Sequence, residues 1–340
     1  MSKKDTDDKI FLTYNQQMKK LRTDKKIACN GSAHKRMLIR AGYFNIINGY
    51  KSPFTCGTDE YGNHQYIPDT SIDQIYKVKL FDDSLRSFLL KYITQVEEEV
   101  RTLTGYKFDE CNDNGTIAWY DTAAYSPKAT LQNKMGTISK AYSELSRSQL
   151  DYVEFYMQNH KKIPTWIMIK VVNFSTFIDV LQYSKFDVSH SICRLYNIFD
   201  EKNLPNVKLL IGSLHWMRKI RNACAHNERI YCISRLDGRH HHTGGRILEQ
   251  YIKSLSPYYS REKIQRIFDL IVYLKYFLPC KEFQRFISDL KGMLFELKSN
   301  IDPAAFDYIR AQMGIRDIED LDTLVSLPKN DIDYNKFDKS

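Results

Sequence analysis

The sequence predicts an all-α protein. Three observations carry that reading: apolar residues recur mostly at three- and four-residue spacings, short alternating runs are rare, and only 14 glycines stand among 340 residues. The length suits two average domains or one large one with extensions, and a hydrophobic content of 43% supports a sizeable core.

The first helical pair spans Thr13 to Ile27 and Ser32 to Tyr50, each opening on a hydroxyl suited to an N-cap. KSPFTCGTDEYGNHQYIPDTS follows as a loop rich in Gly, Pro, Asp and Thr, and it is the best candidate boundary. It divides an N-terminal helical region, residues 1–66, from a helical domain with insertions, residues 67–300; residues 301–340 are expected as a loosely packed C-terminal tail. The domain opens with a long helix or kinked pair, SIDQIYKVKLFDDSLRSFLLKYITQVEEEVRTLTGY, in which Leu85, Leu89, Tyr92, Val96 and Val100 form one apolar stripe. The pattern weakens from Lys107 to about Asn133, returns in SELSRSQLDYVEFYMQNH, and is ended by Pro164. TWIMIKVVNFSTFIDVLQYS is apolar enough to lie against the core on most sides. Pro205 suits the first turn of the next helix, on which Leu210, Leu214, Met217, Arg221 and Cys224 share a face. A polar segment, ISRLDGRHHHTGG, and two more amphipathic helices separated by Pro279 complete the plan, with no internal repeat.

Composition narrows the function. No run of about 18 apolar residues occurs, and MSKKDTDDKIFLT has no signal-peptide core, so a cytoplasmic protein without a membrane span is expected. Seven widely spaced cysteines with no CxxC pair read as reduced thiols, neither a disulfide framework nor a structural zinc site. A net charge of +9 favours a polyanionic partner, although a Lys-, Asn-, Ile- and Tyr-rich composition can also reflect codon bias. The 23 tyrosines fall under the same two readings, as base-stacking surfaces or as packing. Neither a P-loop nor a GxSxG elbow is present.

RNACAHN supplies the candidate chemistry. Asn222 and His226 are one helical turn apart on a shared face, and Arg221 lies about 100° round the helix. An imidazole present in both protonation states near neutral pH can move a proton, a guanidinium can bind phosphate oxygens through two donors, and an amide can orient the imidazole or the backbone. Attack of an RNA 2′-hydroxyl on its own phosphodiester needs that set and no metal. The bland alternative has Arg221 paired with a carboxylate and His226 at a helix C-terminus. A second Arg–His spacing, Arg235 to His240, sits beside Gly238 where geometry is not fixed. Glu97 and Arg101, one turn apart, read either as a surface ion pair or as support for Arg221 or His226. His240, His241 and His242 are consecutive and cannot converge on one ion, so neither a metal nor a cofactor is expected.

FLTYNQQMKKL, AGYFNIINGYKSPF, LFDDSLRSFLLKYITQVEEEVR, IPTWIMIKVVNFSTF, RNACAHNERIY and FDLIVYLKYFLP together resemble, in order, the Abi family of abortive-infection proteins, AbiD/AbiF type. That resemblance implies an HEPN-type helical bundle with an N-terminal helical extension and an endoribonuclease toxin of phage defence. It places Arg221, Asn222 and His226 at the superfamily's Arg, polar and His positions, and Glu97 and Arg101 at a supporting charged position. Asn173, Ser175 and Thr176 depart from the family's glycine-containing form, which weakens only an inference about close helix packing there. The resemblance further implies a homodimer with a composite cleft, and a neutralising partner that is a companion protein or a structured noncoding RNA. The remaining alternative is a non-cleaving RNA-binding or sensor protein whose cluster grips phosphates; a third is a structural helical module.

Overall fold

The computed structural model describes residues 11–236, Leu255 and residues 264–337. Strands form only two short antiparallel pairs among them, so the all-α expectation holds. No helix among the described residues is long and apolar enough to cross a membrane, and none of the seven cysteines forms a disulfide.

The residues cluster into two compact units, Met1–Arg86 with Asp289–Met313, and Ser87–Ser288 with Gly314–Ser340. In the first, α1 (Tyr14–Thr23) opens as predicted: the Thr13 hydroxyl accepts the Gln16 N–H and the Gln16 side chain accepts the Thr13 N–H. α2 (Gly31–Ala41) ends at Gly42, whose φ of 78° is open to glycine, so the helix expected from Ser32 to Tyr50 stops there and a π-helical turn, Phe44–Asn48, follows. The segment read as a loop contains a hairpin, β1 (Thr55–Thr58) with β2 (His64–Tyr66), closed by Asp59 accepting the Tyr61 and Asn63 N–H groups. That segment lies inside the first unit.

α3 (Ile72–Glu110) is one uninterrupted helix of 39 residues. Its predicted stripe, Leu85, Leu89, Tyr92, Val96 and Val100, is buried throughout. In the second unit come α4 (Leu131–Ser146), capped by Thr130, and α5 (Asp151–Asn159). The helix expected across both breaks after Ser146, and Pro164 does not end α5 but stands at the N-cap of α6 (Thr165–Val171). The apolar run then turns at Val172, and α7 (Phe174–Tyr183) starts on Asn173, whose N–H is accepted by Glu144. α8 (Phe186–Leu195) and α9 (Val207–Ala225) follow; α9 is capped by the Asn206 side chain, which accepts the Leu209 N–H at 3.0 Å. α7 packs along α9. Twelve residues of α9 are buried, Trp216 and Met217 among them, so the helix is held rigidly by its core.

Residues 303–337 correct the expectation of a loose tail. They form the helices Pro303–Met313, Glu319–Ser326 and Tyr334–Phe337, and bury Phe306, Ile309, Leu321 and Leu324 at helical spacings. In the second unit, buried Lys275 donates to the Leu324 and Leu327 carbonyls at 2.7 and 2.9 Å, satisfying the end of the Glu319–Ser326 helix. Tyr196 and Tyr334 both donate to Glu99 Oε1, at 2.7 and 2.8 Å.

Candidate active site

The end of α9 is set by backbone conformation. Asn227 takes a left-handed conformation with φ of 55°, its N–H reaching the Cys224 carbonyl at 3.3 Å and the Glu228 N–H reaching the Ala223 carbonyl at 2.9 Å. This is the six-to-one, five-to-two closure that ends helices, with asparagine where glycine is commonest. His226 is therefore the C-cap of the helix, its N–H donated to the Asn222 carbonyl at 3.0 Å, and its side chain stands exposed. Ala223 and Cys224 are buried beneath it, and Ala225 is exposed.

Glu97 joins two arginines. Its Oε1 accepts from Arg101 Nε and Nη2 at 3.1 and 2.7 Å, and its Oε2 lies 3.6 Å from Arg221 Nε. Arg101 uses its remaining terminal nitrogen on α6, donating to the carbonyls of Ile169 and of Val172, the latter at 2.9 Å. Its guanidinium also lies over the Phe177 ring, 4.8 Å from the centroid. Burial lowers the Arg101 pKa from its ordinary value, with Glu97 opposing that shift and the Arg221 charge adding to it. The side chains of Glu97 and Arg101 are only 10% and 12% exposed, whereas that of Arg221 is 40% exposed. One buried carboxylate thus orients a guanidinium that reaches solvent.

Four of the five predicted site residues therefore form one connected group, and the fifth, His226, lies one turn farther along α9. Asn222 belongs to Arg221: its Oδ1 accepts from Arg221 Nη1 at 3.3 Å. Among the described residues no side-chain hydrogen bond joins Asn222 to His226 or orients the imidazole. The pairing of Arg221 with Glu97 and the place of His226 at the helix end are what a structural role alone also requires. The exposure of both polar groups on one helix end is what that role does not require. The histidines of the other spacing and run, His240, His241 and His242, lie outside the described residues.

The sequence matches the family model described as Abi-like protein over residues 36–232, more than half of the chain and inclusive of all five residues. The chain belongs to the Abi-like protein family. The family ties it to abortive infection, a form of phage defence. No curated protein and no solved structure matches it.

Sequence reasoning passed over two further groups on α9 of this Abi-like chain. His215 and Arg218 precede Asn222 by seven and four residues, which sets all three on one side of the helix. The His215 ring is buried, and among the described residues neither its Nδ1 nor the buried Arg218 Nε has a hydrogen-bond partner. The signal was legible in LHWMRKIRN, yet a histidine within an apolar run reads first as core. Burial lowers the His215 pKa to about 4; Arg218 adds to the shift, Asp179 opposes it, and Arg235 adds again.

That shift has a sign. Between the ordinary value near 6.5 and about 4, only the unfolded chain takes up the proton, so the stability His215 contributes is complete above pH 6.5 and lost as pH falls through about 4. Urea denaturation of wild type and His215→Met between pH 4 and 7 should show a shallower acid loss in the variant. Parallel curves would refute a buried neutral imidazole.

Proposed function

We propose that this Abi-like protein is a metal-independent endoribonuclease of abortive infection, cutting RNA at a site built from Arg221, Asn222 and His226. The observation that carries the reading is Arg221: a buried carboxylate lies 3.6 Å from its Nε while its guanidinium stays open to solvent, one turn or so from an exposed imidazole. In the proposed step His226 takes the proton of a ribose 2′-hydroxyl, the 2′-oxygen attacks the adjacent phosphorus, and the bond to the 5′-oxygen breaks. The products are a 2′,3′-cyclic phosphate and a 5′-hydroxyl, the leaving oxygen receiving its proton from the protonated imidazole of a second copy of the chain. Arg221 binds the non-bridging oxygens where negative charge grows, and Asn222 holds Arg221 on that side of α9. Glu97 and Arg101 act as positioning residues.

One chain offers one such helix end, and the resemblance to HEPN ribonucleases supports a homodimer in which two copies share a cleft, the partner copy supplying the second imidazole. Sedimentation should show a dimer at working concentrations; a fully active monomer would refute the shared cleft. RNA is the substrate in this reading, and a structured noncoding RNA or a companion protein would hold the toxin in check. The net charge of +9 favours the RNA.

A second reading has a specific observation behind it. No side chain among the described residues orients His226, which suits a non-cleaving RNA binder that only grips phosphates. Wild type and His226→Ala, compared on a pool of RNAs in EDTA with end-group analysis of the fragments, separate the two. Cyclic-phosphate ends from wild type alone support the nuclease; tight binding without cleavage by either supports the binder.

A further inference from the structure

The face of α5 and α6 presents large aromatic groups to solvent. Trp166 is 59% exposed and Phe155 53% exposed. Beside Phe155, Tyr156 and His160 stack at 4.7 Å between centroids with planes 28° apart. Lys170 follows Trp166 by one turn of α6, and its Nζ lies 5.5 Å from the centroid of the Tyr152 ring. What sets this face apart from other exposed apolar side chains is the company of lysines: Trp166 and Lys170 stand one turn apart, and Lys170 lies against the Tyr152 ring.

This face is tied to the Arg221 site. Arg101, which shares Glu97 with Arg221, is the residue that grips the carbonyls of Ile169 and Val172 on either side of Lys170. α6 is thereby fixed to the helix bearing Glu97 at the end nearest Lys170.

We propose that the α5–α6 face binds unpaired nucleobases of the RNA that the Arg221–His226 site handles, bases stacking on Trp166 and Phe155 while Lys161, Lys162 and Lys170 meet the phosphates. The inference rests on the RNA reading of that site. Aromatic faces interleaved with cations are the surface that single strands use, because every base has a π-face to offer. A duplex hides those faces in its own stack. Charge argues against a second copy of the chain as occupant: across α5, α6 and their connection Lys161, Lys162 and Lys170 exceed Asp151 and Glu154, and the nearby Glu144 is taken up by the Asn173 N–H and the Thr176 hydroxyl, so a two-fold interface would set lysine against lysine.

The test is fluorescence anisotropy of a labelled oligouridine and of a duplex of equal length, on protein carrying His226→Ala so that binding is read without cleavage. Trp166→Ala and Phe155→Ala should each weaken oligouridine binding by about five- to a hundred-fold at unchanged salt dependence, with duplex binding untouched. Lys170→Gln should lower the salt slope by about 0.7. Because Trp119 and Trp216 are buried, quenching of tryptophan emission by oligouridine reports Trp166 directly, and Trp166→Phe should retain most of the affinity. Unchanged oligouridine affinity in both alanine variants overturns the proposal. So does a switch from dimer to monomer in those variants with RNA affinity intact, which assigns the face to a second copy. If wild type still cuts RNA in either case, the ribonuclease reading survives; if wild type neither binds nor cuts RNA, that reading fails and this one with it.

Discussion

Replacing His226 by alanine is expected to lower RNA cleavage in EDTA by a factor of about 10²–10⁴, the usual worth of a positioned general acid or base. Binding should change far less, because the phosphate grip belongs to Arg221, whose guanidinium is held by Glu97 and not by the imidazole. The fold should be undisturbed: the His226 side chain is exposed, and the helix end beneath it is closed by the backbone bonds of Asn227 and Glu228. A rate unchanged by the substitution would remove His226 from the chemistry. Cleavage by wild type that disappears on adding EDTA would reject the metal-free route while leaving the arginine site in place.

Much of this arrangement was legible in the sequence, for identifiable physical reasons. The stripe Leu85 to Val100 has a helical period, and a helix is what formed. The cluster at 221–226 could be set on a helix end because Cys224 closes the apolar face and polar residues follow. What one chain of residues could not show was pairing across sequence distance: Glu97 reaches Arg221 over more than a hundred residues, and Arg101 reaches the α6 carbonyls over about seventy. Breaks within apolar runs were equally hidden. The turn at Val172 follows from Glu144 accepting the Asn173 N–H, a partner on a different helix. The C-terminal segment misled because its helices are short and interrupted by Gly314 and Pro328; its apolar residues Phe306, Ile309, Leu321 and Leu324 are buried all the same, and Lys275 adds long-range bonds to the Leu324 and Leu327 carbonyls.

The two arginines that share Glu97 should separate stability from activity. The Arg101 side chain is only 12% exposed, and its described contacts are internal: two bonds to one carboxylate oxygen, two to the end of α6, and a ring beneath. Glu97→Ala leaves that guanidinium without its counter-charge and should cost about 3–5 kcal/mol, read as a lower denaturation midpoint at unchanged slope. Arg101→Met should cost a similar amount, because the carboxylate then stays buried without its main partner. Arg221→Met removes a 3.6 Å contact with Glu97 and a 3.3 Å bond to the adjacent Asn222 from a side chain that is 40% exposed, the ion pair being worth under about 1 kcal/mol. Its effect on cleavage should nonetheless be as large as that of His226→Ala, since the growing charge on phosphorus loses its donor. A double-mutant cycle between positions 97 and 221 should give a small coupling in stability and a large one in rate, whereas positions 97 and 101 should couple strongly in stability. If Arg221→Met unfolds the protein as readily as Arg101→Met, then Arg221 is a structural member of the network, and the site in RNACAHN loses the group on which the ribonuclease reading depends.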